Sequence, residues 1–263
     1  MRIDNEPLSR RARVAYGTLG VVGTAVIAQL LLGSGLISKP GLPVPSKVIG
    51  GIGDLAGDGA FWHAVGFTLR EWMLGVLIAA VAGVVIGGLM GAFTTIFRAL
   101  EYPVEVFRVL PSVAVGPILV LLIGNGMLPL SLTVALACMW PILLNTLYGV
   151  RATDPTAVQT ARTFGIGSLG ILAAIKIPSA LPFAFTGIRV AASIGLIVAV
   201  SAELLIGNGD GIGGYILINS ANALNLDIVY AATLVAGVLG VLVSAAFAVV
   251  DAAALGWKKG LAQ

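Results

Sequence analysis

Charge is confined to a few places along this chain, and that confinement dictates its fold. Six stretches, roughly 14–37, 72–93, 108–123, 130–150, 183–206 and 228–250, are built almost wholly from apolar and small residues. Each runs for on the order of 16–24 residues, and a helix rising about 1.5 Å per residue needs about 20 to cross a ~30 Å hydrocarbon core. Only 10% of the 263 residues are charged, and the mean hydropathy is +1.04. A soluble domain needs about 25–35% charge on its surface, so these blocks have no aqueous solution open to them. The alternating ten-residue strands of an outer-membrane barrel are missing from the pattern. The expectation is an all-α membrane protein with about six transmembrane helices, packed closely through its 35 glycines. The third block is the shortest and holds Pro111 and Pro117, which predicts a kinked span or one buried among neighbours.

Six spans place both termini on one side. With the termini inside, Arg2, Arg10, Arg11, Arg13, Arg98, Arg108, Arg151, Arg162, Lys176, Lys258 and Lys259 are internal. Lys39, Lys47 and Arg70 are external, and Arg189 lies within a span. The positive-inside rule favours that orientation. It gives a cytoplasmic segment 1–13, a transmembrane domain 14–257 and a cytoplasmic tail 258–263. Ser9-Arg10-Arg11 resembles the start of a twin-arginine export signal, but no small-residue cleavage site follows, and a retained first helix is the simpler reading.

The net charge of +3 is accounted for by these topology signals, and no nucleic-acid partner is expected. Cys138 is the single cysteine and His63 the single histidine, so a metal cage of those two types is excluded. No G-x4-G-K-[ST], H-E-x-x-H or G-x-S-x-G occurs. The chain is therefore expected to have no catalytic residue, no metal and no cofactor of its own.

Two connections carry structure. In the outer segment 38–67, Pro40, Pro43 and Pro45 precede Val48, Ile49, Ile52, Leu55 and Ala56 at helical spacing, which predicts a short surface helix. The inner connection 151–182 is the longer. Asp154 can cap a helix that has Pro155 at its first position and runs over 156–164, with Gly165 supplying a left-handed ending. A second short helix, broken at Pro178 and Pro182, would complete a rigid two-helix knob between spans four and five. A loop of this length with its own structure is usually functional.

Arg189 and Glu203 stand in the fifth block, 14 positions and about 21 Å apart on nearly the same helix face, with Ser193, Leu196 and Val200 between them. They either line a water-filled path or sit at the two interfaces as snorkelled and capping groups. Glu203 precedes a bendable stretch, Gly207 to Gly211, that includes Asn208, so residues 201–211 are candidates for an outer gate. Gly83, Gly87 and Gly91 recur every fourth residue and predict close helix packing, within the subunit or across a dimer. Asn145 is expected to form an interhelical hydrogen bond.

The inner loop also carries a likeness. Gln159-Thr160-Ala161, three residues, Gly165, nine residues, Ile175, one residue and Ile177-Pro178 resembles the EAA loop, E-A-A-x3-G-x9-I-x-L-P, of binding-protein-dependent ABC importers. Gln159, Thr160 and Ile177 depart from the usual Glu, Ala and Leu. Thr68-Leu69-Arg70 with Gly75, Arg108 to Pro111, Gly116-Pro117, Ile123 to Gly126, Trp140 to Thr146, Thr186 to Arg189, and Ala202 to Leu205 are similar to permeases of the nitrate, sulfonate and taurine type, over roughly residues 43–257.

The resemblance implies a permease subunit whose loop residues Asp154, Gln159, Ala161, Arg162, Thr163, Phe164, Gly165, Ile175 and Pro178 engage an ATPase. It further implies two ATPase subunits holding ATP and Mg, a second permease copy (the same chain by default, a different one as the alternative), and an extracytoplasmic binding protein delivering a small, often anionic solute. A secondary transporter or channel is the competing reading. It would call for more buried acids than the one counted here, Glu203, or for an inverted repeat.

Overall fold

The computed structural model describes residues 9–34, 41–207, 209–221 and 226–254, and every element among them is helical. In chain order these are α1 (Arg10–Gly33), α2 (Pro45–Gly57), α3 (Gly59–Ala92), α4 (Thr94–Phe107), α5 (Ser112–Ile123) and α6 (Met127–Arg151). Then come α7 (Pro155–Thr163), α8 (Ser168–Ile171), a π-helical turn (Leu172–Lys176), α9 (Ile177–Ile206), α10 (Gly211–Ser220) and α11 (Leu226–Ala254). Among the described residues, five helices are long and apolar enough to cross a membrane, and α4 with α5, bent by 95°, makes a sixth if counted as one span.

Packing divides the chain into two units: residues 1–58 with 219–234, and 59–218 with 235–263. In the first, the Ser9 hydroxyl caps α1 by accepting from the Ala12 N–H at 3.2 Å. The short helix expected in 38–67 is α2, with Val48 and Leu55 buried, and its Ser46 N–H donates to Gln29 Oε1 at 3.0 Å. Its Gly51 faces the opening turns of α11, where a Cβ would stand 3.0 Å from the Asp227 carbonyl.

The second unit is organised on α6, which packs against α3 on one side and α9 on the other. Small residues set both seams. A Cβ at Gly75, Gly83, Gly87 or Gly91 would meet Val134, Ile142, the Leu143 carbonyl or Val150, so the glycine ladder of α3 is the seat of α6 in the same chain. On the opposite seam, Gly149 meets Phe183, and Gly187 meets the backbone of Ile142. Val76, Ala79, Val134, Cys138, Ile142, Ala191 and Ala199 form the core between the three helices. Cys138 donates its thiol to the Ala191 carbonyl at 3.2 Å, and Trp72 Nε1 donates to the Ala192 carbonyl at 2.9 Å.

Three expectations need correction. First, the third span does not run unbroken from Arg108. The chain turns at residues 108–111, where Pro111 stands ahead of α5, and Pro117 is carried inside α5 without a break. The preceding α4, at residues expected to be an inner loop, is an amphipathic helix with Val104 buried. Second, α3 starts at Gly59 rather than near Trp72 and is 34 residues long, about 51 Å. Arg70 and Glu71 read as a polar boundary, yet Arg70 is exposed and Glu71 is turned inward and buried. Third, neither Pro178 nor Pro182 breaks the chain. Pro178 falls in the first turn of α9, where no N–H is required, and the π turn just before it absorbs the misfit. Residues 168–206 thus form one continuous rod of 39 residues.

Candidate functional site

The polar chemistry of the second unit collects at three places. The first is the knob between α6 and α9. The Asp154 side chain accepts from the Thr156 N–H at 2.8 Å, with Pro155 at the first helical position. At the other end of α7 the Ile166 N–H reaches the Ala161 carbonyl at 3.0 Å and the Gly165 N–H reaches that of Arg162 at 2.9 Å. That pair of bonds is a Schellman ending, and it holds Gly165 at φ +76°. Ala161 is buried beneath the knob, while Gln159, Arg162, Thr163 and Phe164 are exposed, Phe164 to 80%. Ile175 lies half-buried in the π turn, and Pro178 is exposed where α9 begins.

The second place is a buried knot where α3, α9 and α10 meet. Glu203 accepts from Thr68 Oγ1 at 2.6 Å and from the Gly213 N–H at 2.8 Å. Thr68 Oγ1 accepts in turn from the Ile212 N–H at 2.9 Å. Two of the free N–H groups that open α10 are thereby satisfied by side chains of α3 and α9. Glu203, Thr68 and Glu71 are all completely buried. Glu71 packs against Glu203, and the two carboxyls are placed to share a hydrogen bond. Gly211, at φ +78°, lies directly against the Glu203 carboxyl, and a Cβ there would collide with it. Gly213 lies equally close to the Val200 carbonyl, so α10 can dock only because these positions lack side chains.

The third place is a cavity of about 440 Å³ between α9 and the later part of α11. Ser193, Ser201 and Ser244 give it hydroxyls, and Leu196, Val200 and Val241 give it apolar wall. The Ser201 hydroxyl donates to the Ile197 carbonyl of its own helix at 2.8 Å.

Comparison with known proteins places this geometry. The family described as "Binding-protein-dependent transport system inner membrane component" matches residues 75–255. The chain belongs to this family. The permease is 30% identical over 206 residues to the taurine transport system permease protein TauC of Escherichia coli, covering 76% of this chain and 74% of that one. It is 27% identical over 250 residues to the putative aliphatic sulfonates transport permease protein SsuC of Bacillus subtilis, covering 94% and 90%. It is 29% identical over 188 residues to the nitrate import permease protein NrtB of Leptolyngbya laminosa, covering 72% and 66%. A chain of the MetNI methionine ABC transporter, solved in inward-facing conformations, has the same fold. Its TM-score is 0.63 at 16% identity, and the match covers 72% of the permease and 94% of that chain.

The sequence-derived residues of the permease sort unevenly over these places. Asp154 to Gly165 come together in the knob. Ser193 lines the cavity with Leu196 and Val200, whereas Glu203 turns away into the knot, and Arg189 is half-buried on α9 outside the cavity wall. Asn208 lies outside the described residues. Asn145 differs from expectation, since its Nδ2 donates to Pro141 within α6 at 2.8 Å and not to another helix.

The residues missed are Glu71 and Gly213, while Thr68 entered only through the likeness and Gly211 only as the end of the bendable stretch. Glu71 hid behind Arg70 as an apparent end of the span, so the count of one buried acid was short by one. The signal present was periodicity: Phe61, Ala64, Val65, Thr68 and Glu71 share a helical face that continues into Gly75.

Proposed function

We propose that this chain is the permease subunit of an ATP-driven importer. It would pass a compact oxyanionic solute, delivered by an extracytoplasmic binding protein, along the α9–α11 cavity. The observation that carries this reading is mechanical. The second helix of the knob, α8, runs without a break into the rod 168–206, and that rod bears Ser193 and Ser201 of the cavity and carries Glu203 in its last turn. A push on α7 and α8 is thus transmitted along α9, and a rigid element with two end contacts is what alternating access needs.

The named relatives carry taurine, aliphatic sulfonates and nitrate in their descriptions. These share a small head of acceptor oxygens. The Ser193 and Ser201 hydroxyls, bonded to their own helix, can rotate to donate to such a head.

The assembly we infer is two permeases, identical by default, with two ATPases that alone bind ATP and Mg, in a bacterial inner membrane with both termini cytoplasmic. Asp154 to Pro178 form the ATPase contact, with Gln159 offering a neutral amide where the motif has a carboxylate. Residues 201–211 form the outer gate, latched by Glu203. The test is uptake by proteoliposomes of the complex with its binding protein, comparing taurine, an alkanesulfonate, nitrate and methionine. Accumulation of one of the oxyanions supports the reading, and accumulation of methionine alone overturns it.

A further inference from the structure

A basic cavity of about 420 Å³ opens at the base of α3 and α6, beside the knob. Arg151, Arg162 and Lys176 line it, together with Thr94, Thr153 and Gln159. No carboxylate is among its lining residues. Asp154, the nearest acid in sequence, is committed to the Thr156 N–H, and Glu105 is paired with Arg108 at 2.6 Å. The Arg151 guanidinium sits over the Phe97 ring, its carbon 3.6 Å from the ring centre. Stacking uses the face of that group and leaves its N–H edge for an oxyanion.

Directly adjoining is a second cavity of about 260 Å³ with almost wholly apolar walls, among them Val84, Val85, Leu89, Leu172, Leu181 and Ala184. Val150 belongs to the wall of both, and Lys176 of the first is followed in the chain by Ile177 of the second. The apolar cavity runs along the membrane-spanning parts of α3 and α9, and the basic one lies where α3 and α6 end, at Ala92 and Arg151.

We infer that the two cavities together form a binding site for an anionic phospholipid, with the phosphate among Arg151, Arg162 and Lys176 and an acyl chain in the groove above. A positive pocket at the level of the headgroups, continuous with an apolar groove at the depth of the tails, matches that amphiphile end for end. A free phosphate would use only the lower half. An acidic side chain from a partner would leave the groove unexplained. The inference needs only the membrane placement that the family gives, so it stands or falls apart from the identity of the solute.

The experiment is native mass spectrometry of the intact complex, ATPases included, after exchange into detergent containing palmitoyl-oleoyl phosphatidylglycerol or phosphatidylcholine. The expected result is selective retention of phosphatidylglycerol. Lys176→Gln and Arg151→Gln should each weaken retention about fivefold, the effect of one cation near a lipid surface. Gly88→Leu provides an independent variant: Gly88 lines the groove and nothing lies within 4 Å of its would-be Cβ, so leucine fills the groove without displacing a neighbour. It should expel the lipid while leaving assembly intact, and inorganic phosphate should fail to compete in wild type. Four results would overturn the inference: equal retention of the two lipids, unchanged retention in all three variants, displacement by inorganic phosphate alone, or retention only after the ATPases are removed.

Discussion

Replacing Glu203 and Glu71 separately should have unequal consequences although both are buried acids of one knot. In Glu203→Ala the Gly213 N–H loses its acceptor inside the protein. Thr68 does not, because its hydroxyl already lies 3.2 Å from the Ala64 carbonyl and can donate there. One orphaned N–H costs about 1–3 kcal/mol, and the small void left by the carboxyl adds about 1 kcal/mol, for a loss of about 2–4 kcal/mol. Glu203→Gln keeps an acceptor oxygen and presents an NH2 group to the neighbouring Glu71 carboxyl, so its loss should be at most about 1 kcal/mol. Glu71→Leu removes the group that shares a hydrogen bond with Glu203, but Glu203 keeps Thr68 and the Gly213 N–H, so the loss should be about 0.5–1.5 kcal/mol. Thermal unfolding of the purified permease in one detergent, followed by tryptophan fluorescence, reads the order directly. The predicted order of midpoints is Glu71→Leu and Glu203→Gln slightly below wild type, and Glu203→Ala clearly lowest. Equal losses for Glu71→Leu and Glu203→Ala would refute the description of Glu203, with Thr68, as the cap on α10.

Other perturbations follow from the same geometry. Gly87→Ala drives a methyl group into the Leu143 carbonyl and should cost about 1–3 kcal/mol in the same assay, whereas its neighbour Gly88→Ala meets nothing within 4 Å and should be neutral. At Gly165 the backbone is left-handed but the space beside it is open, so Gly165→Asn should retain coupled transport. Gly165→Val, strained by about 1–2 kcal/mol, should separate ATP hydrolysis from uptake, and normal coupling in the valine variant would count against the knob. Asp154→Ala removes the cap of α7 and should weaken that helix by about 1 kcal/mol, seen as faster amide exchange over 155–163 with the spans unaffected.

The spans and the knob were legible because each rests on local signals. Apolar runs of membrane length read directly as helices, and Asp154-Pro155 with Gly165 carries both ends of α7 within a dozen residues. The knot was not legible, because it is made by residues 135 and 144 positions apart, Thr68 with Glu203 and Thr68 with Ile212. No periodicity reports such pairings. Glu71 was lost for a different reason: an acid next to Arg70 at the edge of an apolar run reads as the water boundary, and only the extra turns of α3 before Trp72 carry it inside. The course of α4 and α5 was legible only in part. Of the two prolines that suggested a kink, Pro111 stands at the turn over 108–111, whereas Pro117 stays inside α5, which a helix tolerates when neighbours satisfy the freed carbonyl. The packing partner of Gly83, Gly87 and Gly91 was open in the sequence, since a small-residue stripe says that something comes close without saying what.

The central claim, that this chain moves solute only as the driven half of an ATP-powered machine, is tested most directly by transport into sealed proteoliposomes. The permease would be reconstituted with and without its ATPase subunits, with the loaded binding protein on the receptor side and ATP or a non-hydrolysable analogue on the other. The account predicts accumulation against the gradient only when ATPase and hydrolysable ATP are both present, and none from an imposed proton or sodium gradient. Gradient-driven accumulation by the permease without the ATPase would contradict it and would make this chain a secondary transporter.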